Sequence, residues 1–471
     1  MTTTERAPKS VEDLHNLLQN DTKVKVAVAL LSVDGILRGK FMVSRSKDKF
    51  LSAVKGEGFG FCSVIFGWDM HDLVYPNELL VSNRANGYRD ILAHIDLSTY
   101  RRISWEANVP FFLLSFLDPE THEPIPVCPR GTLTKAIKSA EGFGWEPVAG
   151  VEYEYFQFKG IRSSPVHGYS LLRTQLNQEY FHDLFDESKK FGIEIEGHHT
   201  ETGPGVYETA LAYTSALRMA DNATLFKFVA KSIGMKRGVI PSFMAKPWAN
   251  YRAHSFQDAA GSSVSMRGRR ANRCSITRYA LYESRRRVVL GRCSGWIGGH
   301  RPVGKCYACG IRALGLTFAQ LVPTINGYKR LVGGESFWAP NAVTYGYDSR
   351  AASIRIISPP SVPPSATRLE IRVPGADMQP HFALASIFRL GLRGIEKKVQ
   401  LPGPPISVLQ RENKAPIRLA MSLEEGTKKL LAENSIAREV LGDDFVDHYG
   451  GTRSHEVKLW NEAVTNWEAI P

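Results

Sequence analysis

No apolar run in this chain is long enough to cross a bilayer, and the first twenty residues are polar, carrying Arg6 and Lys9 with no apolar stretch behind them. A membrane span needs about 20 consecutive apolar residues, and a secretory leader needs a hydrophobic core after its basic start. The expectation is a cytoplasmic protein with no membrane partner. Cysteine is scarce, with six residues in 471, and Cys274, Cys293, Cys306 and Cys309 crowd into one short stretch. Cys306-x-x-Cys309 has Cys293 upstream but no second pair at standard spacing, so it matches a zinc knuckle poorly. Internal repeats and low-complexity tracts are also lacking.

What the chain does have is positive charge, and nearly all of it is in one place. The net charge is +12. Residues 250–318 hold twelve arginines and one lysine against one aspartate and one glutamate, a net +11. A nucleic-acid-binding protein spreads its basic residues over a face or a groove. Charge segregated into a seventh of the chain argues against a nucleic-acid partner. Elsewhere the composition is ordinary for a globular protein, 43% apolar and 23% charged.

Val11 to Leu18 places Val11, Leu14, Leu17 and Leu18 on one side of a short helix, within an N-terminal tail of residues 1–21. Val24 to Ser32 reads as a strand, Asp34-Gly35 as a hairpin turn, and Leu37 to Met42 as the partner strand. Strands at Asp90–Asp96 and Pro110–Phe116 complete a β-rich domain over 22–116. Cys128-Pro129-Arg130-Gly131 leads into a helix over Thr132–Gly142, and strands and helices then alternate to the C-terminus. Glu208–Gly234 reads as a helix from its good formers and regular apolar spacing. Ser422–Asn434 and Ser435–Leu441 read as C-terminal helices. The fold class expected is α+β.

Three clusters carry candidate chemistry. Gly150-Val151-Glu152-Tyr153-Glu154-Tyr155-Phe156 places two acids two residues apart, on the same side of a strand. In a buried sheet their repulsion calls for cations nearby; an exposed edge strand would carry the same pattern. Glu194 to Glu208 holds Glu194, Glu196, Glu201, Glu208, His198 and His199, and the Gly203-Pro204-Gly205 bend can return Glu208 to Glu201. Such carboxylates suit Mg²⁺ or Mn²⁺, which prefer oxygen ligands and bridge phosphates; a solvated loop is the alternative, and each histidine on its own reads as structural. Arg368, Glu370 and Arg372 alternate, with Arg350 and Arg355 upstream. Guanidiniums around one acid are what phosphoryl transfer requires, although structural ion pairing gives the same pattern.

Together, in order and spacing, these clusters resemble the type I glutamine synthetases, a family of carboxylate–amine ligases. The resemblance rests on Val33 to Lys40, on the Gly150–Phe156 strand and on Glu201-x-Gly-Pro-Gly-x-x-Glu208. It continues through Phe243-Met-Ala-Lys-Pro247, Pro323-Thr-Ile-Asn-Gly-Tyr-Lys-Arg-Leu331, Asp348 to Arg355 and Arg368–Arg372. It covers about residues 20–249 and 319–471. It implies a β-grasp-like domain at 22–116, then a catalytic domain at 117–471 with a curved antiparallel sheet and flanking helices. It implies ATP, two or three Mg²⁺ or Mn²⁺ ions, and glutamate plus ammonia or another amine, joined through a γ-glutamyl phosphate. Glu154, Glu201 and Glu208 would hold one ion and Glu152 and Glu370 a second. Glu196 would lie beside the nucleotide, Arg330 would grip the substrate carboxylate, and Arg350, Arg355 and Arg372 would manage phosphate charge. Asp69 would come from a neighbouring subunit and take a proton from the amine, which implies a homo-oligomer, a dodecamer of two stacked hexamers.

Two departures from that family stand out. Trp338, not glutamate, precedes Ala339-Pro340, which points to an amine larger than ammonia or to a specialised role. The second is the basic segment: a Gly-Ser-Gly-x-His-x-His strand should follow Pro247, and residues 250–318 contain no His-x-His. Both flanks match and the interior does not, over about the expected length. A shifted reading frame or a mis-called exon boundary accounts for this economically; a genuine basic insertion is the alternative. The expected consequence is a defective ligase with a poorly ordered segment between two well-formed halves. A non-catalytic relative used as a scaffold is the competing functional reading.

Overall fold

The computed structural model describes residues 7–21, 23–29, 36–43, 45–56, 58–76, 79–158, 167–203, 205–247, 262–270, 321–331, 339–357, 368–399, 403–465 and 468, with backbone alone for 26–29, 43, 45–48 and 262–270. The N-terminal helix α1 (Val11–Leu17) is opened by a capping box in which Ser10 and Asp13 each accept the other's backbone N–H. Five strands follow: β1 (Lys23–Ala29), β2 (Leu37–Val43), β3 (Phe59–Cys62), β4 (Asp90–Ile103) and β5 (Val109–Leu117). They form one sheet in the order β2-β1-β5-β4-β3. β1 and β2 pair antiparallel as the hairpin reading expects, while β1 and β5 run parallel. The turn at Asp34-Gly35 lies outside the described residues. Helix α2 (Arg45–Lys55) covers this sheet through Phe50, whose ring centroid is 5.3 Å from that of Phe112.

The second sheet comprises β6 (Trp145–Phe158), β7 (Ile195–Thr200), β8 (Val206–Ser215), β9 (Ile240–Ser242), β10 (Ser262–Arg270), β11 (Tyr345–Tyr347), β12 (Ile354–Ile357) and β13 (Arg368–Ile371). Its order is β11-β12-β13-β10-β6-β8-β7, with β9 added on β6. It curls, mostly antiparallel, and α3 (Pro129–Gly142) and α6 (Ala216–Arg237) pack behind it with α8 (Pro380–Glu396) as an outer layer. Alternation along β6 decides what each face holds. Val151, Tyr153 and Tyr155 are buried towards α6, where Tyr153 stacks on Phe226 at 6.0 Å. Glu152 and Glu154 therefore fall on the opposite face of the sheet. β6 has β8 on one side and β10 on the other, so the edge-strand reading of these acids does not apply.

One expectation is corrected here. Residues 208–215 are not helical; they belong to β8, and the helix starts at Ala216. From Tyr207 to Leu211 buried and half-buried residues alternate, and neighbours on both sides supply ladder hydrogen bonds, which overrides the helix preference of Ala210 and Leu211. Within the basic segment only the backbone of Ser262–Arg270 is described, and it forms the central strand β10. β10 pairs antiparallel with β6 and β13, and its residues precede the densest arginines; Arg285-Arg286-Arg287 lie outside the described residues.

A buried polar network ties the two sheets together. Arg130 of α3 donates to both carboxylate oxygens of Asp221 on α6, at 3.0 and 3.2 Å, and to Asp96 of β4 at 2.8 Å. His381 of α8 meets Asp221 at 2.9 Å. Arg130 and Asp221 are 4% and 2% exposed, so each charge depends on the other for its compensation.

Candidate active site

Strand register assembles the acids. Directly opposite residues in a sheet share a face. His199 of β7 lies opposite Glu208 of β8, which lies opposite Glu154 of β6. One row along, Glu152 lies between Ala210 and Ser263; beyond β10, Glu370 of β13 lies between Ser265 and Arg355 of β12. Five strands thus turn Glu154, Glu208, His199, Glu152, Glu370 and Arg355 to one side. The hairpin between β7 and β8 adds Glu201, with Gly205 at φ +72° passing so close to β6 that a Cβ would sit 2.6 Å from the Gln157 carbonyl oxygen.

His199, Glu201 and Glu208 converge tightly: each offers a ligand atom, all within 4.8 Å of one another. The His199 Nδ1 is 3.2 Å from Glu201 and its Nε2 3.3 Å from Glu208. The hydrogen bond and charge of Glu208 push the imidazole pKa up to about 9 despite burial, with Glu201 contributing as well. Burial raises the Glu201 carboxyl and the charge of Glu208 adds to this, while His199 and Arg350 pull the other way. Two converging acids that hold a proton on a histidine form a site that calls for positive charge. The Tyr169 ring lies over His199 at 4.4 Å. Exposed Arg350 acts electrostatically on Tyr169 and Glu201.

The second group is centred on Glu370, 7% exposed. Arg355 donates to it at 3.0 Å and Arg372 approaches it at 3.2 Å; Arg355 also holds Asp348. Arg330 links the two groups. It is buried, and burial lowers its pKa to about 10 while the charge of Glu154 resists that loss. It donates to the carbonyls of Val373 and Arg372 at 3.1 and 2.7 Å. The helical turn α7 (Ile325–Tyr328) carries the approach to Arg330, and Asn326 there exchanges two 2.8 Å hydrogen bonds with the backbone of Lys246. Two of the motifs that carried the resemblance are thereby fastened to each other.

Two expected residues stand apart. Glu196 is the extra residue of a β-bulge in β7, between Ile195 and Gly197, and is exposed. Asp69 is 4% exposed and held by its own chain: it accepts from the N–H groups of His71 and Leu73 at 2.8 and 3.0 Å and lies 3.3 Å from His455. The sequence reading takes each histidine on its own as structural and names neither Tyr169 nor Arg173. His199 belongs to the acid cluster, and the signal was present, since His199 and Glu201 are two apart like Glu152 and Glu154. His198 points the other way, at 2.9 Å from Thr209 among Phe181, Phe185 and Tyr207, where burial lowers its pKa to about 3. Tyr169 and the buried Arg173 gave no signal.

The catalytic-domain model of glutamine synthetase matches residues 126–257 and 302–470, skipping the centre of the basic segment. Type-1 glutamine synthetase 2 of Dictyostelium discoideum is 38% identical over 96% of this chain and 85% of its own length. Glutamate–isopropylamine ligase of a Pseudomonas species is 29% identical over 98% of both. The solved GmaS/ADP complex superposes with a TM-score of 0.76 at 23% identity, covering 97% of this chain and 98% of its own. No helix among the described residues is long and apolar enough to cross a membrane. With its motifs joined on one face of one sheet and the family model spanning most of its length, the chain belongs to the glutamine synthetase family of carboxylate–amine ligases.

Proposed function

We propose that this protein joins the γ-carboxylate of glutamate to ammonia, with ATP activating the acid. The observation that carries this reading is the placement of a cation-demanding acid cluster (His199, Glu201, Glu208) and an arginine-clamped acid (Arg355–Glu370–Arg372) on one face of one sheet. The carboxylate oxygen would attack the γ-phosphorus of ATP as the bond to ADP breaks. The amine would then attack the acyl carbon, phosphate would leave, and a base would take the amine proton. Arg355 and Arg372 would stabilise charge on the moving phosphoryl group, as positioned guanidiniums do. Arg330 would hold the α-carboxylate of glutamate and Glu196 would lie beside the nucleotide. Asp69, as proton acceptor, would be supplied to a neighbour's site in a ring-based homo-oligomer; a monomeric mass by light scattering, for folded protein, contradicts that part.

The residues present fit one divalent ion well: Glu154, Glu201 and Glu208, with His199 beside them. For a second, the described residues offer Glu152 and Glu370, and the positions of β10 next to them are Ser263 and Ser265, which bring neither imidazole nor carboxylate. Bound Mg²⁺ or Mn²⁺ would neutralise phosphate charge. The chain as it stands is therefore expected to turn over weakly. Trp338, in place of an acid, favours a second reading in which the amine is larger than ammonia, and the isopropylamine-ligating relative is consistent with it. Phosphate release dependent on ATP and glutamate, measured with ammonia, methylamine, isopropylamine and ethanolamine, separates the two. Preference for ammonia supports the first reading and preference for a larger amine the second; release with none of them, even after the basic segment is corrected, contradicts both.

A further inference from the structure

Beside the acid cluster sits a buried arginine with no part in the proposed chemistry. Arg173 is 1% exposed and projects from the short helix α4 (Leu171–Gln175), whose Leu171, Leu172 and Gln175 are exposed. Among the described residues no carboxylate lies within ion-pair distance of it. Its guanidinium instead donates to three backbone carbonyls: His167 at 3.1 Å, Glu201 at 2.6 Å and Val206 at 2.9 Å. The Glu201 and Val206 carbonyls are the two ends of the hairpin that turns Glu201 back towards Glu208, a hairpin closed by the Glu201 N–H to Val206 carbonyl bond at 3.0 Å. The guanidinium also lies 5.2 Å from the ring centre of Tyr207, the residue before Glu208. The His167 carbonyl begins the loop that carries Tyr169 onto His199. Thr200 fastens the same loop a second time, donating its hydroxyl to the His167 carbonyl at 3.1 Å and accepting the Ser170 N–H at 2.8 Å.

A full charge is costly to bury without a carboxylate at ion-pair distance. What it gains here is geometry: a rigid planar fork spreads its donors over three nitrogens and here uses two of them, whereas the three donors of an ammonium leave a single nitrogen. We propose that Arg173 is a positioning residue for the divalent-ion site, locking the Glu201–Val206 hairpin to the 167–170 loop so that Glu201, Glu208 and the Tyr169–His199 pair keep one arrangement. This rests on the reading of Glu154, Glu201 and Glu208 as metal ligands. Groups that orient ligands from behind typically govern metal affinity by about 10–100-fold.

The test is Mn²⁺ binding to the full chain, followed by the electron paramagnetic resonance signal of free Mn²⁺, with the unfolding midpoint recorded for each variant. Wild type should show a tight class that E201Q removes. R173M should weaken that class at least about 10-fold, and R173K should not restore it, because charge without the fork cannot span three carbonyls. T200V, which cuts the second fastening and leaves the arginine in place, should shift affinity in the same direction and decides the matter if R173M does not fold. Faster amide hydrogen exchange at Tyr169 and Glu201 in metal-free R173M is the accompanying signature. Mn²⁺ affinity within about 2-fold of wild type in both R173M and T200V, or full rescue by R173K, overturns the proposal, against the larger effect expected. Wild type that binds no Mn²⁺ overturns the metal-site reading itself, and this inference with it.

Discussion

Replacing His199 by glutamine in metal-free protein should destabilise the fold in a strongly pH-dependent way. The imidazole is held between Glu201 and Glu208 at 3.2 and 3.3 Å, with its pKa raised to about 9. An unfolded histidine titrates near 6.5. A group with a raised folded pKa stabilises the fold fully below the unfolded value, and that contribution fades as pH climbs through the folded value. Raising a pKa by one corresponds to about 1.4 kcal/mol, so the proton contributes at most about 3 kcal/mol. The His199 side chain is 26% exposed, so solvent screening trims this to about 2 kcal/mol. Urea unfolding of wild type and H199Q, both stripped of metal, should differ by about that amount at pH 6 and converge by about pH 10. Saturating Mn²⁺ should narrow the gap at pH 6, since the ion replaces the charge the proton supplied. A difference that is unchanged from pH 6 to pH 10 would refute the idea that Glu201 and Glu208 hold a proton on His199.

D221N should cost about 3–5 kcal/mol in urea unfolding at neutral pH, because Arg130 loses its fully buried carboxylate partner and keeps only the more exposed Asp96, and His381 loses its hydrogen-bond partner. Asp221 is held below the usual carboxylate range, chiefly by Arg130 acting against burial, so the wild-type advantage should shrink as pH falls below about 4; a gap that persists under acid would count against the network. Placing histidines at Ser263 and Ser265 together should create a second Mn²⁺ class, since both register positions adjoin Glu152 and Glu370; a titration identical to wild type would show that the β10 register does not govern that site.

Much of this site was legible because strand alternation is a local property. Glu152 and Glu154 face together by parity alone, as do Arg368, Glu370 and Arg372, and the glycines of the 203–205 bend announce the return of Glu208 to Glu201. Other features depend on partners far away in sequence. Whether 208–215 is helix or strand is decided by β6 and β7 on either side, not by its own alanines and leucine. His198 and His199 are chemically alike, and only register separates them: one opposite Thr209 on the aromatic side, one opposite Glu208 on the acid side. Arg173 acts through carbonyls, which every residue carries, so no pattern of side chains could mark it. In the basic segment, Ser262–Arg270 begins with small residues and pairs between β6 and β13, while Arg285-Arg286-Arg287 lie outside the described residues.

The central proposal is that this chain carries the framework of a glutamate ligase in which β10 places serines, not an imidazole, beside Glu152 and Glu370. The most direct test compares the chain as it stands with a version whose residues 250–318 are replaced by a segment of the same length bearing Gly-Ser-Gly-x-His-x-His. ATP-dependent γ-glutamyl transfer is measured on both. Weak or no turnover is expected from the first and robust turnover from the second; equal activity in the two would show that the basic segment is a working part of the enzyme and that no ligand is missing.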